Sequence, residues 1–297
     1  MNIFLRSLAL AGVLTLLYVG ISFGQSTGAS DGSTSGGTST TTSTYNPKAA
    51  KKTSGSDAWN GFYVGGVVGF GMRRAGAETS VAITNPATNY FAQSSINSIN
   101  SSGGRQTLNG TKFSGGGTFG YNHQSGNWVV GAEADLTFQP GTTSKSTTTT
   151  YPCCAPSAYT VTQSVKNTWL LTARPRVGYA WGNTMAFVTG GLAVSRINYA
   201  ATFTDNFPSL NGLGANAHEN GGSNPTKVGW TGGGGLETKV SDRWSVKGEY
   251  LYTDFRRTTT TSTNLQAETP PVGAGDTFTH SIAVREHLFR FGINYHF

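Results

Sequence analysis

A chain of 297 residues has room for two domains and is equally ordinary for one all-β domain with long loops. Charged residues make up 12% and hydrophobic residues 36%; disordered chains are charge-rich and globular ones are about a quarter charged, so neither description fits. The net charge of +7 rests on 21 Lys and Arg, scattered except for Lys48, Lys51 and Lys52, Arg73 with Arg74, and Arg256 with Arg257, which is too sparse for a nucleic-acid surface.

The first segment is an address, not part of a fold. Arg6 precedes the apolar stretch LALAGVLTLLYVGI at 8–21, followed by Ser22, Phe23 and Gly24. This is the layout of a cleaved secretory signal, residues 1–24. The apolar run is short for a spanning helix, and no later segment reaches the roughly 18 apolar residues that one needs. No cysteine follows the signal to carry a lipid anchor. Residues 25–58 are rich in Ser, Thr and Gly and bury too little to offset their ordering entropy, which predicts a flexible leader. The folded domain is expected over 59–297.

From Trp59 onward the period is two, and eight strands are predicted. Strand one, 59–74, puts Phe62, Val64, Val68 and Phe70 on one face. Strand two, 112–124, has Phe113, Phe119 and Tyr121 in phase. Strand three, 128–138, alternates Trp128, Val130, Ala132, Ala134, Leu136 and Phe138 with Glu133 and Asp135 between them. Strand four, 165–181, sets Leu171, Val177, Tyr179 and Trp181 against Thr172, Arg174 and Arg176. Strands five to eight follow at 185–199, 226–240, 244–255 and about 282–297. The run Gly232 to Gly235 lacks the Gly-Lys-Ser/Thr of a phosphate loop and suits a strand inside a closed barrel.

Connection lengths strengthen this reading. Strands two and three, four and five, and six and seven are joined by tight turns around Gly126, Asn183 and Asp242. The other four connections, 75–111, 139–164, 200–225 and 256–281, are long and polar. Alternating short and long connections put all the short turns at one rim of an up-and-down barrel, as in transmembrane barrels of the outer-membrane type. The polar face carries Glu133, Asp135, Glu237 and Glu249 against Arg174, Arg176, Lys239, Lys247 and Arg290. Apolar side chains outside and charge inside is the arrangement of a membrane barrel; a soluble secreted barrel is the reverse. The fold expected is therefore all-β: an eight-stranded antiparallel up-and-down transmembrane β-barrel with long external loops, located in the cell outer membrane. Lipid and lipopolysaccharide phosphates are the partners expected for bases at strand ends.

Trp59-Asn60-Gly61-Phe62-Tyr63-Val64-Gly65-Gly66 resembles the first strand of the Omp25/Omp31-like outer-membrane β-barrel proteins of alphaproteobacteria, often called porin-family or outer-membrane immunogenic proteins. The ending, with Arg290, Gly292, Tyr295 and Phe297, is similar to the signal that the barrel-assembly machinery reads in that family. The resemblance covers residues 59–297 and implies a surface role through external loops. The long Ser/Thr-rich leader departs from the family pattern.

No catalytic, cofactor or metal site is expected. Cys153 and Cys154 are adjacent, too close for a framework disulfide and without further ligands for a metal, though open to a vicinal disulfide. His280 and Ser281 with Glu286 is the one arrangement that an outer-membrane lipid-modifying enzyme could use, and solvated loop residues are the plainer reading. The lumen charges either line an ion or small-solute path or fill it; eight strands leave an interior just wide enough for side chains, which favours a salt-bridged plug.

Overall fold

In the computed structural model, residues 58–267 and 275–297 are described; the expected export signal, 1–24, and the expected leader up to residue 57 lie outside them. Ten strands form: β1 Gly61–Ile83, β2 Arg105–Ser125, β3 Trp128–Phe138, β4 Thr142–Thr150, β5 Ala158–Trp181, β6 Thr184–Asp205, β7 His218–Ser223, β8 Thr226–Lys239, β9 Trp244–Ser262 and β10 Asp276–His296. Eight of them close a ring in the order β5-β3-β2-β1-β10-β9-β8-β6, sealed by β5–β6, and every pairing is antiparallel.

The two extra strands continue existing ones. β4 takes over from β3 along the outer half of β5, and β7 stands beyond β8 along β6. The breaks contain Pro140 and Pro225, and proline has no N–H to give to the ladder. The ring is thus eight staves, two of them interrupted by proline.

Gly126 and Gly182, at φ +60° and +59°, open two-residue turns between β2 and β3 and between β5 and β6. Positive φ at the first central position is what a type II′ hairpin requires, and its twist matches that of the strands. Residues 240–243 join β8 to β9. At the opposite rim lie the long connections: 84–104, which holds α1 Gln93–Ser98 and a π-helical turn at Ile99–Gly103; 151–157; 206–217, with the single turn α2 Phe207–Leu210; and the described residues 263–267 and 275 between β9 and β10.

The strands run further toward that rim than apolar periodicity predicts. The long connections lose residues to them at both ends, because the added segments are Thr-rich (TTSKSTTTT in β4, TTTTS at the end of β9). Threonine is β-branched and favours strands, but it carries no hydrophobic signal.

Along the uninterrupted staves the apolar face changes sides. In the turn-proximal half it points outward: Phe62, Phe113, Trp128, Val188, Trp230 and Phe291 are exposed. In the outer half it points inward: Val161, Val165, Ile197, Phe203, Phe255 and Ile282 are buried, with Lys166, Arg196, Arg256 and Arg285 exposed outside. In β5 the ladder shifts between Asn167 and Leu170, so odd positions face inward above the shift and even positions below it. The belt with apolar side chains outward includes β3, 11 residues long, the length of a strand that spans a bilayer (about 9–11 residues).

Inward glycines make the tight curvature possible. A Cβ at Gly69 would lie 2.0 Å from the Phe289 carbonyl oxygen, and one at Gly233 would lie 1.9 Å from that of Tyr250. Outward Gly66 has only the Gly116 oxygen, at 3.9 Å. Of the four-glycine run, Gly233 and Gly235 meet neighbouring backbone in this way, and the whole run lies within β8.

Candidate functional site: the filled lumen and its external cap

The register brings opposite charges face to face across neighbouring staves: Glu133 with Arg174, Glu237 with Lys247, and Glu249 with Arg290. Their side chains then reach further round the ring. Arg174 bonds Glu133 at 2.7 Å, Asp135 at 2.8 Å and Glu249 at 3.0 Å. Arg290 bonds Asp135 at 2.6 Å and Glu249 at 2.9 Å. Arg176 reaches Glu237 at 2.7 Å and Glu133 at 3.4 Å, and Lys247 reaches Glu133 at 2.7 Å. Four acids and four bases, all buried, therefore balance.

Eight of the nine residues expected in this set are in it. Lys239 is not. It is the last residue of β8, with a side chain long enough to snorkel out of the barrel; its Nζ donates to the Asp242 carbonyl at 3.1 Å and sits 5.5 Å from the centre of the Trp59 ring. The expected excess of one base disappears with it.

Periodicity alone did not single out Tyr63, whose hydroxyl donates to Glu133 at 2.8 Å and accepts from Arg176 at 2.8 Å. Ser245 and Asn294, which the alternation does put on the polar face, donate to Glu237; the pair Arg73–Glu286, 3.8 Å apart and fully buried, was not singled out. The signal was available: Tyr63 and Arg73 alternate with the lipid-facing Phe62 and Met72, and Glu286 lies two strand periods from Arg290.

Above the network the lumen is mostly apolar, with the Arg73–Glu286 pair set into it. Leu108, Val165, Leu170, Ile197, Phe255 and Leu288 belong to one buried cluster that spans it. Beyond that, the external connections fold over the end of the barrel: Phe91, Ile96 and Ile99 pack on Tyr159, Phe203 and Phe278. His280 is buried in this cap, with Nε2 at 3.2 Å from Glu219 and Nδ1 at 2.9 Å from Thr79. Its neighbour Ser281 instead accepts from Arg257 and Glu286 pairs with Arg73, so the three residues weighed as a catalytic arrangement are not brought together. Cys153 and Cys154 form a vicinal disulfide in the 151–157 connection. Burial pushes the Asp205 carboxyl in the cap upward, opposed by the hydroxyls of Tyr151 and Tyr90. Burial also raises both phenols, with the Asp205 charge adding to the effect.

At the other rim, Phe297 donates its N–H to the Phe62 carbonyl at 3.0 Å. Tyr295 stacks edge-on with Trp244 and Phe297 outside the barrel, at 5.1 and 5.3 Å. Arg290 and Gly292 of the same motif face inward.

A closed antiparallel ring with an outward apolar belt, aromatic side chains at its turn-side edge and a paired polar interior is a transmembrane β-barrel of the outer-membrane class. The chain belongs to the outer membrane protein beta-barrel domain family, whose model matches residues 47–297. It is 34% identical over 187 residues to the 31 kDa outer-membrane immunogenic protein of Brucella melitensis biotype 1, covering 62% of this chain and 66% of that protein, and equally to its counterpart in Brucella suis biovar 1. The matched region thus spans just under two thirds of those relatives. Over 111 residues it is 32% identical to the 25 kDa outer-membrane immunogenic protein of Brucella canis, covering 35% of this chain and 44% of that one. Among solved structures it is similar to the outer membrane protease OmpT of Escherichia coli (TM-score 0.37, 7% identity, 80% of this chain and 97% of that one) and to Neisserial surface protein A (TM-score 0.30, 11% identity, 78% and 99%). These relatives bear out the resemblance to the Omp25/Omp31-like proteins of the outer membrane.

The network makes a quantitative demand. Glu133→Ala leaves Lys247 and Arg176 partly unpaired in a dry interior, and is expected to cost about 3–5 kcal/mol in denaturant unfolding. Glu78→Ala, which breaks the exposed contacts with Arg105 and Arg257, is expected to cost under about 1 kcal/mol.

Proposed function

We propose that this protein is a closed, non-enzymatic barrel that serves the envelope through its outer surface and does not conduct. One observation carries the reading: the ion-paired layer and the apolar layer fill the lumen in series. A lining for ions would leave charged groups hydrated; these are bonded to one another and have a hydrophobic plug above them. The alternative of an ion or small-solute porin requires both layers to open. Planar-bilayer recording with the purified protein is expected to show no steady conductance, and stable steps of reproducible size would overturn the proposal.

The outer surface offers two partners by chemistry. Arg74 and Arg285 are directly opposed on β1 and β10, with Asp254 3.1 Å from Arg285, and Lys166, Arg196 and Arg256 stand exposed on β5, β6 and β9. Like charges facing each other across a ladder repel; Asp254 offsets part of this at Arg285, and an anion over Arg74 offsets the rest. Lipopolysaccharide phosphates at the outer leaflet are the anion we infer. Arg74→Ser combined with Lys166→Ser and Arg196→Ser should reduce the lipopolysaccharide that co-purifies with the folded barrel, and unchanged retention would sink this contact.

The assembly machinery is the second partner, through Arg290, Gly292, Tyr295 and Phe297. The outward rim positions of Tyr295 and Phe297 leave both rings reachable after strand pairing. Removal of Phe297 is expected to lower the amount of heat-modifiable barrel in the outer membrane, while the same variant refolds from urea into detergent; normal insertion in cells would count against a signal role.

A further inference from the structure

Asp205 ends β6 beneath the external cap and is 3% exposed. No ion pair to it forms among the described residues; its partners are the hydroxyls of Tyr90, at 3.0 Å from both carboxylate oxygens, and of Tyr151 at 2.6 Å, with the backbone N–H groups of Phe207 and Ala217. Beside it is a cavity of about 110 Å³ walled by Tyr90, Phe91, Tyr151, Phe207 and the Cys153–Cys154 disulfide. A water occupies about 30 Å³ of liquid, so this is room for a head group of about four heavy atoms. Phe91 and Phe207 both stand perpendicular to Tyr90, at 90° and 88° with centroids 5.0 and 6.5 Å away. Tyr90 thus meets both phenylalanines edge to face, and the three rings line the cavity in perpendicular contacts rather than as a stack. Tyr90 and Phe207 are half-buried, which leaves the cavity open toward the outer surface.

Ring faces around one buried negative charge are the chemistry that recognises an organic cation. The carboxylate narrows the class further. It has about four lone-pair sites, and the two tyrosines and two backbone groups already use them. An ammonium with N–H donors would find few acceptors, whereas an N-methylated cation has no donors to satisfy and needs only the charge and the ring faces. We propose that this cavity binds a quaternary ammonium head group. The site is independent of whether the lumen conducts or the collar holds lipopolysaccharide.

The test uses the folded full-length protein in a maltoside detergent, since choline-headed detergents carry the probe themselves. Titration calorimetry with tetramethylammonium and with choline is expected to show saturable binding. The neutral isostere of choline, 3,3-dimethyl-1-butanol, and methylammonium should each bind at least roughly tenfold more weakly. Asp205→Asn should lose a similar factor. Because Asp205 also ties the cap together, Phe207→Leu serves as a second variant that removes a ring face and leaves every hydrogen bond of the carboxylate in place; it should weaken binding severalfold while keeping the heat-modifiable gel shift. Displacement of the probe by phosphatidylcholine vesicles would assign the site to a lipid head group, and lack of displacement to a free solute; either result upholds the site. Absence of saturable binding to the wild-type protein overturns the proposal, as does equal affinity for the neutral isostere, or undiminished binding in folded Phe207→Leu.

Discussion

Everything in this fold depends on the requirement that no backbone N–H or C=O be left unpaired in hydrocarbon. β1 and β10 meet that demand over 21 register pairs, from Tyr63 with His296 to Ile83 with Asp276, and β5 with β6 closes the far side. Closure at eight strands leaves an interior only as wide as its side chains. Inward positions must then be glycine where a neighbouring backbone comes close, or side chains that satisfy one another. Charge on the inner face is admissible only as a network, because one unpaired member carries the full cost of desolvation.

The same staves meet two solvents, and that decides what fills them at each height. Within the membrane the outer face must be apolar, so an alternating strand is left with its polar residues inside: Arg174, Arg176, Glu249 and Arg290 lie there. Above the membrane the outer face meets water, and the apolar residues turn inward, as Val165, Ile197, Phe203 and Phe255 do. β5 makes the change with a ladder irregularity at 167–170, which moves the inward set from odd to even positions. The barrel is a membrane protein in its lower half and is built like a soluble barrel in its upper half, and the apolar layer above separates the ion pairs from external water.

This division also explains which parts were legible in the sequence. β3 could be read to the residue, because a tight turn and Gln139-Pro140-Gly141 bound it and every outward position is apolar. β4 could not: TTSKSTTTT has no hydrophobic phase, and its pairing with β5 uses hydroxyl contacts such as Ser146 with Thr162 and Thr148 with Thr160, both 2.8 Å. Charge in the lower lumen was visible because it interrupts apolar alternation. The apolar plug was hidden although Val165, Leu170, Ile197, Phe255 and Leu288 lie within expected strands, because a period of two does not show that the apolar face changes sides partway along a strand. Arg73 and Glu286 were overlooked although they are in phase with the rest, and Lys239 was included because it is in phase although the end of its strand lets it leave.

Charge bookkeeping across the interior isolates one region. The lower network balances four against four, Arg73 answers Glu286, and His280 lies against Glu219. Among the described residues the inward carboxylates that face no base are Asp205 and Asp276, and Tyr90 joins them: its hydroxyl donates to the first and its backbone N–H to the second, at 2.6 Å. Burial pushes both carboxyls upward, which measures the cost of keeping them charged. Donors alone surround the Asp205 carboxylate, which an amide with its NH2 group could not match, so the local hydrogen bonding holds the charged form in place. Negative charge left uncompensated at the outward end, beneath rings and beside a cavity, is the arrangement expected where the compensating cation comes from outside the chain.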